Sequence, residues 1–64
     1  MTLFGLRYKP HSPSLFELEG FPVALIMDQN RRWHVWNDGL LHPRTLASRE
    51  EAAQVVAESF EVRP

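Results

Sequence analysis

Three histidines are the first residues of this 64-residue chain whose side chains could do chemistry. His11, His34 and His42 could each ligate a metal ion. They lack the i, i+4 spacing of a helical site, they fall on separate predicted elements, and the chain has no cysteine to complete a zinc site. The spacing therefore predicts solvated histidines and neither a metal nor another cofactor.

An acid–base pair is the second possibility, with Asp38 or Glu51 as the partner of His34. Nothing in the sequence marks a nucleophile, and no glycine-rich loop is available to hold a phosphate. A domain of this size also seldom encloses a pocket of even about 300 Å³. We therefore predict that the chain is not an enzyme.

The run Arg31-Arg32-Trp33-His34-Val35-Trp36 points to binding instead. Successive side chains of a β-strand point to opposite faces, so two tryptophans three residues apart lie on opposite sides of a sheet. A chain this short can cover one face of a sheet and seldom both. One indole is therefore predicted in the core and the other on a surface that a partner can use.

Length, charge and composition limit the class of protein. We expect one domain spanning residues 1–64, since a chain of this size has room for only one core. The formal net charge of −1 counts against a nucleic-acid binder, which usually carries a basic excess. The absence of cysteine, of a signal peptide and of an apolar run longer than Phe21–Met27 favours a cytoplasmic protein.

Residues 23–42 predict a three-stranded antiparallel meander. Its strands are Val23–Asp28, Arg32–Trp36 and Leu40–His42. The first turn is polar and contains Asn30, which tolerates a left-handed backbone, and the second contains the Asp-Gly pair typical of tight hairpins.

Two further strands are predicted before the meander. The alternation of Thr2–Tyr8 predicts one strand, and Ser14–Glu19 predicts another. The prolines of Pro10–Pro13 should break the chain between them. These strands can either extend the sheet or partly cover its open face.

The length of the first meander loop decides which tryptophan is exposed. With three loop residues, Ile26 opposes His34 and Ala24 opposes Trp36. A two-residue loop would instead place Arg32 and His34 among apolar residues, and burial of an unpaired arginine costs several kcal/mol. We therefore predict the three-residue loop, with Trp33 in the core and Trp36 on the open face.

A helix from about Arg49 to about Phe60 is predicted at the end of the chain. Ser48 and Glu51 have the spacing of a capping box. A stripe formed by Ala52, Val55, Val56 and Phe60 recurs at helical spacing and should pack on the face that holds Trp33. The tail 61–64 either adds an extended edge or frays. The fold class predicted is α+β: a small antiparallel sheet packed on one C-terminal helix.

Two functions are consistent with this arrangement. The first is a small module or inhibitor, of phage or bacterial type, that occupies a partner protein's surface. Trp and Arg are enriched at binding hot spots, and the predicted contact residues are Ile26, Arg31, Arg32, His34 and Trp36, with Trp36 as the anchor. The same face could also form a homodimer.

The second is a sheet-based nucleic-acid binder. From Phe21 to Phe60 the layout, a three-stranded meander followed by a helix beginning Ser-x-Glu-Glu-Ala, resembles the small DNA-binding arms of integrases and plant AP2 domains. The basic and aromatic pattern of those sheets is matched at Arg31, Arg32, Trp33 and Trp36. Similar layouts also occur in small antitoxin-like and double-stranded-RNA-binding-like folds.

Overall fold

The computed structural model describes residues 1–59 as one antiparallel sheet followed by one helix. The strand order in space repeats the order in the chain, so the sheet is a continuous meander. The α+β class is confirmed, but three strands understate the sheet, which has six. The elements are β1 (Thr2–Leu3), β2 (Leu6–Ser12), β3 (Leu15–Leu18), β4 (Val23–Met27), β5 (Trp33–Asn37), β6 (Leu40–Leu41) and α1 (Arg49–Ser59).

The N-terminal strands differ from the prediction. Phe4 and Gly5 have φ angles of 52° and 80°, which make a two-residue turn that pairs Leu3 with Leu6. The stretch predicted as one strand is therefore a hairpin. Pro10 does not break β2, because the N-terminal segment pairs only as far as Tyr8, which bonds with Met1. Among residues 1–59, that side of β2 therefore has no partner at Pro10. A proline there removes no ladder hydrogen bond.

The β4–β5 hairpin has the predicted register. Ala24 pairs with Trp36 and Ile26 pairs with His34. The amide of Asp28 donates to the carbonyl of Arg32 at 2.9 Å, which closes a loop of three residues. The left-handed residue of this loop is Arg31, with φ 61°, and not Asn30 as the sequence suggests.

The β5–β6 turn is the predicted tight hairpin. Asp38 and Gly39 both have positive φ angles, 50° and 86°, as a type I′ turn requires. After β6 the chain returns to the same edge, where Leu46 pairs with Trp33. The loop between β6 and the helix is thereby held against the end of β5.

The helix begins at the predicted cap. The Ser48 hydroxyl accepts from the Glu51 amide at 3.2 Å, and it donates to the Glu51 carboxylate at 3.4 Å. The prediction extends the helix to Phe60, but Phe60 and the tail 61–64 lie outside the described residues. Within residues 1–59, no helix has the length and apolar character needed to cross a lipid bilayer.

The core lies between the sheet and the helix, which packs on β1, β4 and β5. Trp33 is buried, as predicted, and its ring centroid lies 5.9 Å from that of Phe16. The guanidinium of Arg49 lies over the Phe16 ring, 5.1 Å from its centroid. Burial raises the pKa of Tyr8 to about 12. The buried core residues are Tyr8, Phe16, Leu18, Val23, Leu25, Trp33, Val35, Leu46, Ala52, Ala53 and Val56.

Candidate protein-binding face

The sheet face opposite the helix carries apolar side chains on four neighbouring strands. Strand alternation directs Trp33 and Val35 into the core and leaves His34 and Trp36 on the other side, half-buried. The strand pairs place Ala24, Trp36 and Leu41 in one cross-strand row, and Leu15 and Ile26 in the adjoining row. We call this set the apolar stripe: Leu15, Ala24, Ile26, Trp36 and Leu41.

The N-terminal strands leave this face open. One prediction left open was that the first third of the chain folds over the face. Instead, β1, β2 and β3 continue the sheet sideways, and among residues 1–59 the only helix lies on the opposite side. Trp36 and Ile26 are half-buried by their neighbours in the sheet, and Leu41 is 57% exposed.

His34 is fixed by Asp28. Its Nε2 lies 2.7 Å from Oδ2 of Asp28, while Oδ1 accepts the amides of Asn30 at 2.8 Å and Arg32 at 3.0 Å. The side-chain bond from His34, followed by the amide bond from Arg32, lowers the pKa of the Asp28 carboxyl. The acid bonded to His34 is therefore Asp28, and neither Asp38 nor Glu51, the two acids considered from the sequence. Asp28 was the diagonal neighbour of His34 in the predicted register, and that relation could have identified it.

Three arginines lie close together in the fold at one end of the stripe. Arg32 donates from Nε and Nη2 to the Thr45 hydroxyl, at 3.3 and 3.0 Å, and from Nη2 to the Thr45 carbonyl at 3.5 Å. Arg31 precedes Arg32 and Arg44 precedes Thr45, so this contact brings the backbones of all three arginines to the same end of the sheet. We call these three exposed residues the arginine corner.

The corner has no carboxylate partner within residues 1–59. The ion pairs formed within residues 1–59 are His11–Glu17, His34–Asp28 and Arg49–Glu50. Asp28, the nearest acid in sequence to Arg31 and Arg32, is occupied by His34 and two amides. Within residues 1–59 the three arginines therefore have one nearby acid, Asp28, and the corner is positively charged.

The three histidines lie apart. The Nε2 of His11 is 3.3 Å from the carboxylate of Glu17, His34 is held by Asp28, and the Nδ1 of His42 accepts the amide of Arg44 at 3.1 Å. No group of three or more metal-ligating side chains is found in residues 1–59.

A concave region lies on the helix side. It is an open groove of about 490 Å³ between β6 and the second half of α1. Leu41, at the edge of the sheet, borders both this groove and the apolar stripe. The apolar part of the groove wall consists of Val23, Val35, Leu40, Leu41, Pro43, Val55 and Val56.

Comparison of the chain with protein-family models, curated proteins and solved structures returned no match. The layout that resembles integrase arms and AP2 domains was a three-stranded sheet, whereas this sheet has six strands.

Proposed function

We propose that this chain is a small, non-enzymatic binding module that acts by occupying the surface of a partner protein. The observation that carries this proposal is the apolar stripe, which runs across neighbouring strands on a sheet face with no covering element in residues 1–59. Leu41 is exposed and the other four residues of the stripe are half-buried, and contiguous apolar surface bordered by polar residues is typical of interaction sites. Its action in the cytoplasm remains a prediction.

Trp36 is the proposed anchor. It sits between Ala24 and Leu41 in the strand pairing, and Ala24 has the smallest side chain of the stripe. A tryptophan held by a sheet loses little rotamer freedom on binding, so more of its contact energy appears as affinity. Its loss should cost about 2 kcal/mol or more of binding energy.

The remaining proposed contact residues surround this anchor. Ile26 and His34 form the neighbouring cross-strand pair, and the bond to Asp28 fixes the orientation of the imidazole. Arg31 and Arg32 lie beyond them at the corner. An apolar centre with a polar border is the usual anatomy of a protein–protein interface.

A nucleic-acid-binding function is the second candidate, and the arginine corner is the observation that favours it. Three arginines that form no ion pair within residues 1–59 could bind phosphates. Salt separates the two candidates. With phosphate contacts, log K falls against log salt with a slope of about −0.9 per neutralised phosphate, whereas an interface centred on tryptophan responds weakly.

The test is a pull-down from cells of the native source, with retained proteins and nucleic acids both analysed. Phe4→Ala is the matched control for Trp36→Ala, because Phe4 is also an exposed aromatic (55%) but lies in the β1–β2 turn. We expect the wild type and Phe4→Ala to retain the same protein and Trp36→Ala to lose it. Equal retention by all three would refute the proposal.

A further inference from the structure

We infer that the partner of the open face presents an apolar patch bordered on one side by carboxylates, which the arginine corner binds. The inference rests on the proposed function, because the apolar stripe must be the centre of the interface for the corner to lie at its border. It adds the chemistry of the partner, which the stripe alone does not specify.

The arginine corner borders the open face next to His34. His34 belongs to the open face and lies next to Trp36 along the stripe, and Arg32 follows on the same face in the alternation of β5. Arg32 is therefore about two strand positions, or roughly 7 Å, from His34. A partner seated on Trp36 and Ile26 reaches the corner without leaving the sheet.

The guanidinium of Arg32 is positioned to bind an anion. Its bonds to Thr45 use Nε and Nη2, and Nη1 has no partner within residues 1–59. A guanidinium fixed by one set of bonds loses less freedom when its free N–H groups bind a carboxylate. Bonds of this kind, between charged groups, are stronger than neutral ones.

The other charges of the open face are balanced locally. Lys9 lies directly opposite Glu17 in the β2–β3 register, and the backbone bond from Glu19 to Arg7 at 3.0 Å places these two residues opposite each other, so each base there has an acid on the facing strand. Asp28 already accepts three hydrogen bonds. The corner is thus the part of the open face whose positive charge would attract negatively charged groups of a partner.

A nucleic acid fits this distribution less well than an acidic protein surface. Its phosphates form a long row, and a row extending from the corner across the sheet would pass the apolar stripe and then Glu17. Neither offers a favourable contact to phosphate. A protein surface can place carboxylates at the corner and apolar side chains on the stripe.

The test uses a phage library of random dodecapeptides, selected on the immobilised full chain. We expect enriched peptides in which aromatic or aliphatic residues stand beside two or more acidic residues. A synthetic peptide of the enriched sequence is then titrated by fluorescence. The double variant Arg31→Glu/Arg44→Glu should weaken its binding about tenfold or more.

The matched controls separate this inference from the proposed function. Arg7→Glu also reverses an arginine's charge, at one site on the far side of the open face. It should change the affinity for the peptide by less than about twofold. Trp36→Ala should abolish binding. If binding needs Trp36 but is indifferent to acidic residues and to the corner, the inference fails and the proposed function stands.

Three other outcomes overturn the inference. Binding that is independent of Trp36 refutes both proposals. Tighter binding of a thymidine 20-mer than of the peptide, lost on reversal of the corner, assigns the face to nucleic acid. A wild-type dimer in sedimentation that Trp36→Ala converts to a monomer assigns the stripe to a second copy of the chain.

Discussion

Arg31 occupies a backbone conformation that an arginine adopts at a cost, and relieving it should stabilise the protein. Its φ is 61°, and the left-handed region costs a residue with a Cβ roughly 1–2 kcal/mol. Arg31→Gly removes that cost but adds about 0.5–1 kcal/mol of chain entropy to the unfolded state. The net expectation is a stabilisation of about 0.5–1 kcal/mol.

The structure supports this estimate because the loop does not depend on the side chain of Arg31. The bond that closes the turn runs from the amide of Arg31 to the carbonyl of Asp28 at 3.0 Å, and glycine keeps it. Within residues 1–59, no hydrogen bond or ion pair of the Arg31 side chain would be lost. Arg31→Asn should also stabilise, since asparagine tolerates this region without the extra entropy.

The assay is urea unfolding followed by tryptophan fluorescence, with Gln29→Gly as the control. Gln29 lies in the same loop but not at positive φ, so glycine there brings only the entropic cost and should destabilise by about 0.5–1 kcal/mol. Equal destabilisation by Arg31→Gly and Gln29→Gly would refute the reasoning. If the arginine corner binds carboxylates, Arg31→Gly should also weaken binding of the acidic peptide, so that stability and affinity change in opposite directions.

Four further predictions concern the fold. Trp33→Ala should cost about 3–5 kcal/mol and unfold most of the protein, whereas Trp36→Ala should leave the melting temperature close to that of the wild type; acrylamide quenching of single-tryptophan variants should find Trp33 the more protected. Ser48→Ala should cost about 1 kcal/mol through the lost cap, and Val56→Ala about 2 kcal/mol or more through a cavity, and equal, negligible effects in denaturant would contradict the helix packing. Because the folded-state pKa of Asp28 is lowered, its stabilising contribution is present above the ordinary value and is lost as pH falls through the lowered one; Asp28→Asn should flatten this acid limb in melts at a series of pH values. Burial raises the pKa of Tyr8 from 10.0 to about 12. The contribution of the protonated Tyr8 to the free energy of unfolding is therefore complete below pH 10 and is lost as pH rises towards 12. Tyr8→Phe should remove this decrease in stability at alkaline pH.

The register of the central hairpin could be predicted from the sequence because the alternative was costly. A slip by one residue would have placed Arg32 and His34 against Leu25 and Met27, and the structure avoids this by placing Arg31 in a left-handed conformation. The helix start was equally accessible, since the cap involves residues only three apart. In both cases local chemistry was sufficient.

The N-terminal hairpin could not be predicted in the same way. A phenylalanine at positive φ, as in Phe4, is not a turn signal, and Pro10 is tolerated only because β1 is too short to reach it. The arginine corner could not be predicted from the sequence either, because Arg32 and Thr45 are 13 residues apart. Nothing in the periodicity of either segment brings them together.

The strictly sequential strand order has a consequence for the speed of folding. Within residues 1–59, each strand pairs only with its neighbours in the chain, so the sheet can grow hairpin by hairpin, and closing short loops costs little entropy. The helix α1 differs, because it must pack against β1 at the other end of the sequence. Since folding is faster when contacts are more local, this sheet should form faster than a sheet of the same size with non-local strand pairs. The docking of the helix is then the step that completes the core, and substitutions at Val56 should act mainly on the rate of unfolding.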